Sequence, residues 1–475
     1  MQKLHLSLCL FILAFVSSFG QISEDYKPQS PEESEMVETL SKYIQFESVT
    51  GEETEAGLWL KELCESQGFY TQQMGTGEGN FNFSASLYPL SKQLPNIIFL
   101  HHIDVVPAEN LENWTYPPFS GAVTDTEIWG RGSYDNKGVA VMQLYSMIDL
   151  LKSYGDKDMP YNVTLLSVSC EEGECGENGV QHVVNNYLDD LNPIVVFGEG
   201  PFGIREILSK TPETPVFGIS TAHKKFLWLE LELSIKSFGH ASVTPESYSN
   251  KEMVMALNNV LKRKPKLIFN DVNTKMLKAL GRLESGATKL ALKHPKTFKG
   301  LIKKELKKEP ELFSIFSNTI TLTGISCNTN AINTIPEKVT ATLDCRLLPG
   351  ESSEDFIADL KKRLKNDDIK ITIVGQSHDT GFSDENNIFY NGFQKSIEEN
   401  YPEGKVVIAM LPNYNDVGAF RAKGVNAYST VPIIMERKYI ERIHSQNERL
   451  EIKVLLRGKQ TYTDFIEYCF KQGVK

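Results

Sequence analysis

The sequence predicts an α/β protein with a mixed, mostly parallel sheet flanked by helices, into which a smaller α+β unit is inserted. Short apolar runs alternate with amphipathic patterns between residues 31 and 197, which is typical of a sheet with parallel strands. From about residue 223 the pattern changes, and residues 227–235 alternate strictly between apolar and polar side chains, which indicates a half-exposed strand. The first pattern resumes at residues 406–410. The inserted unit therefore separates two parts of one sheet domain.

The elements of the first part can be placed from their end signals. Ser30-Pro31-Glu32-Glu33 is a capping-box pattern with proline at the first helical position, and apolar residues then recur at helical spacing. A second helix is predicted from Glu53 to about Gln67, where Gly68 ends it. Further helices are predicted at 137–151 and 179–188, and strands at 96–100, 163–168 and 194–197.

The inserted unit is assigned to residues 223–375. It is predicted to contain the alternating strand, a lysine-rich helical stretch to about residue 308, strands at 319–323, 338–343 and 370–374, and a helix after Ser352. A chain of 475 residues is too long for one ordinary core, so two domains are expected. The sheet domain then comprises residues 22–222 and 376–475 and closes with a long helix.

The first twenty residues differ in composition from the rest of the chain. Lys3 is the only Lys, Arg, Asp or Glu there, residues 6–16 are nearly all apolar, and small residues precede Gln21. This pattern is typical of a signal peptide over residues 1–20 and predicts a secreted or periplasmic protein, with a retained anchor as the alternative. No later stretch is apolar enough to span a membrane, so no membrane partner is expected after cleavage.

Charge and cysteine content narrow the chemistry. The formal net charge of −11 and the pI near 5.5 argue against a nucleic-acid partner, which would require a basic footprint. An oxidising compartment permits disulfides among the six cysteines that follow the signal peptide, although a domain of this size does not need them. Cys170 and Cys175, which flank an acidic loop, are the most favoured pair.

Polar residues follow the predicted strand at 96–100. In His102-Ile103-Asp104 the two polar side chains are two residues apart, so in an extended chain they point the same way. This geometry suits a carboxylate that orients an imidazole, or two ligands of one metal. Taken alone, His-x-Asp is more often a solvated strand end.

Further acids and a histidine occur at other predicted strand and helix ends. Asp135 lies in a glycine-rich loop at a helix start, where the peptide dipoles favour a carboxylate, and a simple helix cap is the alternative. Glu171 and Glu172 directly follow an apolar strand, where adjacent acids repel unless a cation or proton lies between them. Glu199 ends the next strand, and His444 precedes the final helix, where a lone histidine would more often be a cap.

Together these positions supply two imidazoles, several carboxylates and no thiolate. A pair of hydrolytic zinc ions requires this donor set, with an open position for water. Two neighbouring cations also need a bridging anion. Asp135 can provide that bridge, which leaves one histidine and one glutamate for each metal.

Motifs in this order resemble those of the co-catalytic zinc peptidases of the M20 family over essentially the whole mature chain. The motifs are His102-Ile103-Asp104-Val105-Val106-Pro107, Gly130-Arg131-Gly132 through Asp135 to Lys137-Gly138, Glu171-Glu172-Gly173, and His444 through Asn447-Glu448. Within the family, the chain most resembles the carboxypeptidase S and N-acyl-amino-acid hydrolase branch, in its overall length, its long insertion and residues 330–337. The resemblance implies a zinc-peptidase catalytic domain with an inserted lid of the dimerisation type.

The resemblance also implies two zinc ions per chain and assigns their ligands. His102 and Glu199 would hold one zinc ion. Glu172 and His444 would hold the other, and Asp135 would bridge the two.

Other roles follow from the same resemblance. Asp104 would orient His102, and Glu171 would be the general base that passes a proton from water to the leaving nitrogen. His240, in Gly239-His240-Ala241-Ser242, is similar to a lid histidine that stabilises the oxyanion, although a surface turn is the alternative. Arg346 is similar to a lid arginine that suits a substrate carboxylate, and Asn333 is a weaker candidate for the same pocket.

Three positions depart from the family pattern. Cys170 stands where most members have an aspartate before the two glutamates, so the family's usual contact at that position is not expected. Gly198-Glu199 stands where the nearest branch often has Asp-Glu, so a register shift is an alternative to Glu199 as the ligand. Asn415-Asp416-Val417 replaces Gly-Thr-Asp near the pocket, which could alter specificity.

The sequence therefore predicts a secreted dizinc hydrolase that cleaves an amide bond next to a free carboxylate, in a small peptide or an N-acyl amino acid. A homodimer through the lid is one option. The alternatives are an inactive metal-bearing peptide-binding module and a single-metal hydrolase of another fold. Retention of Glu171 disfavours the first alternative, and the second full set of ligands disfavours the other.

Overall fold

Two main β-sheets and a set of flanking helices make up the chain, which we describe from a computed structural model for residues 22–23, 25–76, 81–173, 179–236 and 239–473. The predicted signal peptide, residues 1–20, lies outside the described residues. No helix in the described ranges combines the length and apolar character that a membrane span requires.

The strands are numbered in chain order. They are β1 (Tyr70–Thr76), β2 (Phe81–Ser86), β3 (Asn96–His102), β4 (Ala122–Val123), β5 (Glu127–Trp129), β6 (Asn162–Val168), β7 (Pro193–Gly198), β8 (Val216–His223), β9 (Lys225–Ser234), β10 (Thr319–Cys327), β11 (Lys338–Leu347), β12 (Lys370–Gln376), β13 (Lys405–Leu411), β14 (Asn426–Ser429) and β15 (Arg449–Glu451).

The α-helices are numbered in the same way. They are α1 (Pro31–Ile44), α2 (Thr54–Gln67), α3 (Lys137–Tyr154), α4 (Gly179–Asn186), α5 (Leu188–Leu191), α6 (Ser249–Leu261), α7 (Asp271–Leu283), α8 (Gly286–Lys293), α9 (Lys299–Leu306), α10 (Pro310–Ser314), α11 (Ser353–Leu364), α12 (Ile388–Asn400), α13 (Val417–Ala422), α14 (Arg437–Ile440) and α15 (Ile452–Gly473).

The large sheet is mixed and has the order β1-β2-β6-β3-β7-β14-β8-β13. The pairs β6–β3, β3–β7, β7–β14 and β8–β13 are parallel, whereas β1–β2, β2–β6 and β14–β8 are antiparallel. One apolar cluster includes residues of α1, α3, α12 and α15, and another includes residues of α4 and α13. The predicted α/β class with a flanked, mixed sheet is confirmed.

Central strands of this sheet are buried along their whole length. Every residue of β3 is buried, as is every residue of β6, because apolar clusters cover both faces of the sheet. The strands β1 and β2 were not predicted from the sequence. Tyr-Thr-Gln-Gln-Met-Gly-Thr in β1 has no strand periodicity, and its pairing with β2 comes from the tertiary fold.

A four-stranded antiparallel sheet, of order β10-β11-β9-β12, forms a second layer. The predicted alternation in β9 is confirmed, since Leu227, Leu229, Leu231 and Leu233 are fully buried while the intervening residues are partly exposed. The buried leucines belong to an apolar cluster with residues of α6 and α11. The domain boundaries at residues 223 and 375 stay a prediction.

The ends of α1 and α2 are as predicted, except for one hydrogen bond of the capping box. The Ser30 side chain accepts the Glu33 backbone N–H at 3.1 Å, as expected for the start of α1. The reciprocal half of the capping box is absent, because the Glu33 carboxylate accepts the Gln29 backbone N–H instead. Gly68 ends α2 in the left-handed region, with φ 97°, as predicted.

Candidate metal centre

Three neighbouring strands deliver acidic and imidazole side chains to one sheet edge. The parallel strands β6, β3 and β7 are adjacent, so their carboxyl ends meet. His102 is the last residue of β3, Glu171 and Glu172 follow β6 in a short loop, and Glu199 directly follows β7. The strand ends named in the sequence analysis therefore converge.

Asp135 reaches this edge from the loop before α3, and Glu448 holds that loop in place. The Glu448 carboxylate accepts the backbone N–H groups of Gly132 at 3.0 Å, Tyr134 at 3.1 Å and Asp135 at 3.2 Å. It also accepts a 2.8 Å hydrogen bond from Arg131 Nη1 and is 1% exposed. Glu448 belongs to one of the sequence motifs, but no local signal indicates its contacts with a loop more than 300 residues away.

His102 forms one half of the cluster. Its Nε2 atom lies 3.2 Å from Asp135 Oδ1 and 3.3 Å from Glu199 Oε2. On the other side of the ring, Nδ1 lies 2.9 Å from the backbone carbonyl oxygen of Asp104 and 3.5 Å from its carboxylate. The predicted contact between Asp104 and His102 is therefore present, but the Asp104 carbonyl oxygen lies closer to the ring than the carboxylate does.

His444 forms the other half of the cluster. Its Nε2 atom lies 3.0 Å from Asp135 Oδ2 and 2.9 Å from Glu172 Oε1. The two oxygens of Asp135 thus point to different histidines. This division brings together all five residues named as metal ligands, and it leaves one imidazole and one glutamate on each side of Asp135.

The donor chemistry of both groups fits a cation. Because the Asp104 carbonyl oxygen accepts the Nδ1–H of His102, the Nε2 atom points toward the carboxylates of Asp135 and Glu199. A positive partner, either a proton or a metal ion, is required between that nitrogen and the two carboxylates. Hydrogen bonds that His444 donates to the carboxylates of Asp135 and Glu172 raise its pKa to about 10. Although burial opposes it, contact with Asp104, Asp135 and Glu199 raises the pKa of His102 well above its usual range. These shifts show a strongly negative field.

Glu171 lies beside this cluster and is oriented by Asp104. Donor atoms of His102, Glu171 and Glu172 approach within 4.8 Å of one another. Asp104 Oδ1 accepts the Glu171 backbone N–H at 3.1 Å, and Oδ2 accepts the Glu172 backbone N–H at 2.9 Å and the Thr50 hydroxyl at 2.8 Å. Burial, followed by repulsion from Glu199, raises the pKa of Glu171 well above its usual range.

The residue before the two glutamates has an unexpected environment. Cys170 has a φ of 64° and is disulfide-bonded, whereas Cys64, Cys327, Cys345 and Cys469 are free. Cys175, its predicted partner, lies outside the described residues. The Cys170 backbone N–H donates to the fully buried Glu53 carboxylate at 3.2 Å. Glu53 was not predicted as part of the site. Most family members have an aspartate at position 170, whereas here the backbone N–H of Cys170 contacts Glu53.

Two amide side chains fix Glu199. Asn136 Nδ2 donates to Glu199 Oε2 at 2.6 Å, and Asn415 Nδ2 donates to the Glu199 backbone carbonyl oxygen at 3.0 Å. A small cavity beside them is lined by Glu171 and Asp416, among others. Burial raises the pKa of Asp416 to about 8. The two asparagines were not predicted as contacts of Glu199.

The three residues predicted to bind substrate lie on the four-stranded sheet and its loops. His240 Nδ1 lies 2.8 Å from the Ser242 hydroxyl, and the Asn333 carbonyl oxygen accepts the Ala241 backbone N–H. Arg346 forms a two-point ion pair with Asp344, at 2.7 and 2.8 Å. Among the described residues, no hydrogen bond or ion pair joins these three to the five clustered side chains, so their roles stay predictions.

Comparisons with known proteins agree with this architecture. The chain is 26% identical over 401 residues to a probable carboxypeptidase S-like protein of Dictyostelium discoideum, with 83% of this chain and 75% of the relative covered. It is 24% identical over 373 residues to an N-fatty-acyl-amino acid synthase/hydrolase of Xenopus tropicalis, with 78% and 72% covered.

Solved structures share the fold. An M20 family metallo-carboxypeptidase from Sulfolobus solfataricus superposes with a TM-score of 0.68 at 21% identity, covering 92% of this chain and 99% of that one. Human carnosine dipeptidase 1 superposes with a TM-score of 0.65 at 13% identity, covering 93% and 97%.

The fold and the clustered donors define a metal-dependent hydrolase of the peptidase and amidohydrolase class. Residues 98–468 match the family described as Peptidase family M20/M25/M40. The chain belongs to that family, and the resemblance stated from its motifs is confirmed.

Proposed function

We propose that this chain is a secreted co-catalytic dizinc hydrolase that cleaves an amide bond adjacent to a free carboxylate. The observation that carries the proposal is the division of Asp135 between two donor groups, one with His102 and Glu199 and the other with Glu172 and His444. One shared carboxylate between two sets of imidazole and carboxylate donors is what a bridged pair of zinc ions requires.

Bound at these five residues, two zinc ions would polarise the scissile carbonyl and lower the pKa of a shared water molecule. The chain's own contribution is to hold the ligands in place before substrate arrives. Glu448 fixes the loop of Asp135, Asn136 and Asn415 fix Glu199, and Asp104 fixes His102 and the loop of Glu172. Outer contacts of this kind set ligand orientation and basicity.

Glu171 is the proposed general base. It is next to the ligand Glu172, yet neither of the two bridged donor groups needs it. Its carboxylate would accept a proton from the attacking water and then donate that proton to the leaving nitrogen. A chain that only bound a peptide would have no use for this acid, which disfavours the inactive binding module.

The relatives and Arg346 of the lid support a substrate with a free carboxylate. Similar proteins include a carboxypeptidase S-like protein and N-fatty-acyl-amino acid synthase/hydrolases. Both names indicate a substrate with a free carboxylate. Arg346 would bind that carboxylate in exchange for Asp344, with which it now pairs, and His240 and Asn333 would complete the pocket on lid closure.

Metal-restored activity tests the proposal. The mature protein is dialysed against a chelator and assayed with and without added zinc on dipeptides, blocked peptides with a free C-terminal residue, and N-acyl amino acids of increasing chain length. We expect hydrolysis only after zinc addition, and loss of turnover when the substrate carboxylate is amidated. No zinc-dependent hydrolysis of any member would contradict the proposal, and full turnover of the amidated substrates would contradict its substrate class.

A further inference from the structure

One segment of the chain has the opposite charge to the rest. Residues 262–308 contain fifteen lysine and arginine residues and three acidic residues, a net charge of +12, in a chain whose formal net charge is −11. The remainder of the chain therefore carries −23. We call residues 262–308 the basic helical segment; it includes α7, α8 and α9.

The charges of the basic helical segment are on the surface and mostly unneutralised. Thirteen of its fifteen basic side chains are exposed. Within the described residues, only Lys275 and Lys308 form ion pairs, with Glu385 and Glu305. Of the three acids, Glu284 is buried and accepts hydrogen bonds from Ser209.

Leucines are exposed among these lysines. Leu290 on α8 is 52% exposed and Leu301 on α9 is 49% exposed. The two helices contact each other, and Lys289, Lys299 and Lys304 are exposed within three residues of one leucine or the other. Exposed leucines that are close in sequence to exposed lysines match the boundary between lipid headgroups and acyl chains.

The basic helical segment is a fixed surface. Leu277 and Ile302 belong to an apolar cluster with Ile408 and Met410 of the sheet edge strand β13. Beyond its carboxyl end, buried Lys224 donates to the carbonyl oxygens of Ser314, at 3.1 Å, and Ser317, at 2.9 Å. The helices that carry the positive charges are therefore already folded when a partner approaches, so little ordering of the backbone opposes binding.

We propose that the basic helical segment docks the protein onto a bilayer that contains anionic phospholipid, with Leu290 and Leu301 entering the headgroup boundary. The lysines supply attraction to the anionic surface, and the leucines distinguish a bilayer from a soluble polyanion, which has no apolar phase to receive them. The sequence-based expectation of no membrane partner rested on the lack of a spanning stretch, which does not bear on peripheral contact. This inference is independent of the proposed catalytic activity.

Co-sedimentation of the zinc-loaded full chain with vesicles tests the proposal. Neutral phosphatidylcholine vesicles are compared with vesicles in which a third of the lipid is phosphatidylserine, at low and at high salt. We expect binding only to the anionic vesicles, and loss of that binding as salt screens the charges. Equal binding to both kinds of vesicle, or none to either, would overturn the proposal.

Matched variants locate the surface. Lys289→Glu with Lys296→Glu and Lys304→Glu should weaken vesicle binding by about 100-fold or more, because each lysine at an anionic surface accounts for roughly a fivefold gain. Lys152→Glu with Lys395→Glu and Lys423→Glu makes the same change in net charge at other exposed positions and should have little effect. Equal losses in both triple variants would overturn the assignment to this segment.

Leu290→Ser with Leu301→Ser separates a bilayer from a soluble polyanion. This variant keeps every charge, and we expect it to lose vesicle binding by about 10-fold while it retains its affinity for heparin beads. Unchanged vesicle binding would show that charge alone acts, and the bilayer proposal would be wrong. Thermal unfolding of every variant, with the midpoint near that of wild type, confirms that the helices remain folded.

Discussion

Asp104 connects two parts of the candidate metal centre through separate atoms. Its carbonyl oxygen faces His102 Nδ1, while its two carboxylate oxygens accept the backbone N–H groups of Glu171 and Glu172. One buried residue therefore sets both the tautomer of the His102 imidazole and the position of the acidic loop. The His-x-Asp spacing indicated that the Asp104 carboxylate orients His102, but the backbone carbonyl oxygen makes the shorter contact, 2.9 Å against 3.5 Å. The contacts with the acidic loop depend on a strand pairing between β3 and β6 that local sequence does not reveal.

Replacement of Asp104 by asparagine tests this double role. In Asp104→Asn one carboxylate oxygen becomes an NH₂ group that faces a backbone N–H, so two donors oppose each other and the acidic loop must shift. We expect zinc affinity to fall by about 10- to 100-fold, measured by competition with a chromophoric chelator. The exposed Asp189→Asn serves as the control and should bind zinc as wild type does. Equal zinc affinity in the two variants would contradict the role of Asp104.

The two adjacent glutamates should separate in a simple experiment. Glu171→Ala should retain both zinc ions and lose about 10²- to 10⁴-fold in kcat, since it removes a proton acceptor and no ligand. Glu172→Ala should lose zinc, because it removes a donor that lies 2.9 Å from His444 Nε2. Zinc content and turnover are measured on the same preparations. Loss of zinc from Glu171→Ala would mean that the roles of the two glutamates are exchanged.

At the scale of elements, Lys224 joins the start of β9 to the helices that precede β10. Its Nζ atom donates to the carbonyl oxygens of Ser314 and Ser317 and to the Thr319 hydroxyl, and the side chain is fully buried. The sequence predicted the strands on both sides of this junction. It did not predict the junction, because a lysine in a strand pattern is expected to be exposed.

The pH dependence of stability tests the burial of Lys224. Burial, followed by repulsion from Arg346, lowers the pKa of Lys224 from 10.5 to about 7. Between pH 7 and 10.5 the unfolded chain then binds the proton that the folded chain has released, so this residue makes the protein more stable as pH rises. The slope is at most about 1.4 kcal/mol per pH unit. Denaturant unfolding at pH 7 to 9.5 should show a steeper slope in wild type than in Lys224→Met, by up to that amount, because buried Lys137, whose pKa burial also lowers to about 7, contributes equally to both proteins. Identical slopes would contradict the lowered pKa of Lys224.

At the scale of the molecule, sequence and structure agree best where periodicity is strong. The apolar runs predicted β3, β6 and β7, and the strict alternation predicted β9, because burial on two faces or on one face leaves a clear pattern. The polar edge strand β1 left no such pattern. All five candidate ligands converge as predicted, whereas the supports from Glu53, Asn136, Asn415 and Glu448 involve pairings between distant parts of the chain.

The edges of the four-stranded sheet bear on whether two copies of the chain associate. The strands β10 and β12 are the two edges of the four-stranded sheet, and most of their residues are at least partly exposed. Unpaired edges of this kind can pair with a second copy. A homodimer through the lid stays a prediction.

Anomalous diffraction at the zinc absorption edge, on crystals of the zinc-loaded mature protein, tests the central claim most directly. The account predicts two peaks on opposite sides of the Asp135 carboxylate, one within bonding distance of His102 and Glu199 and the other of Glu172 and His444. A single peak, or a second peak that shares no ligand with the first, would contradict a bridged two-metal centre.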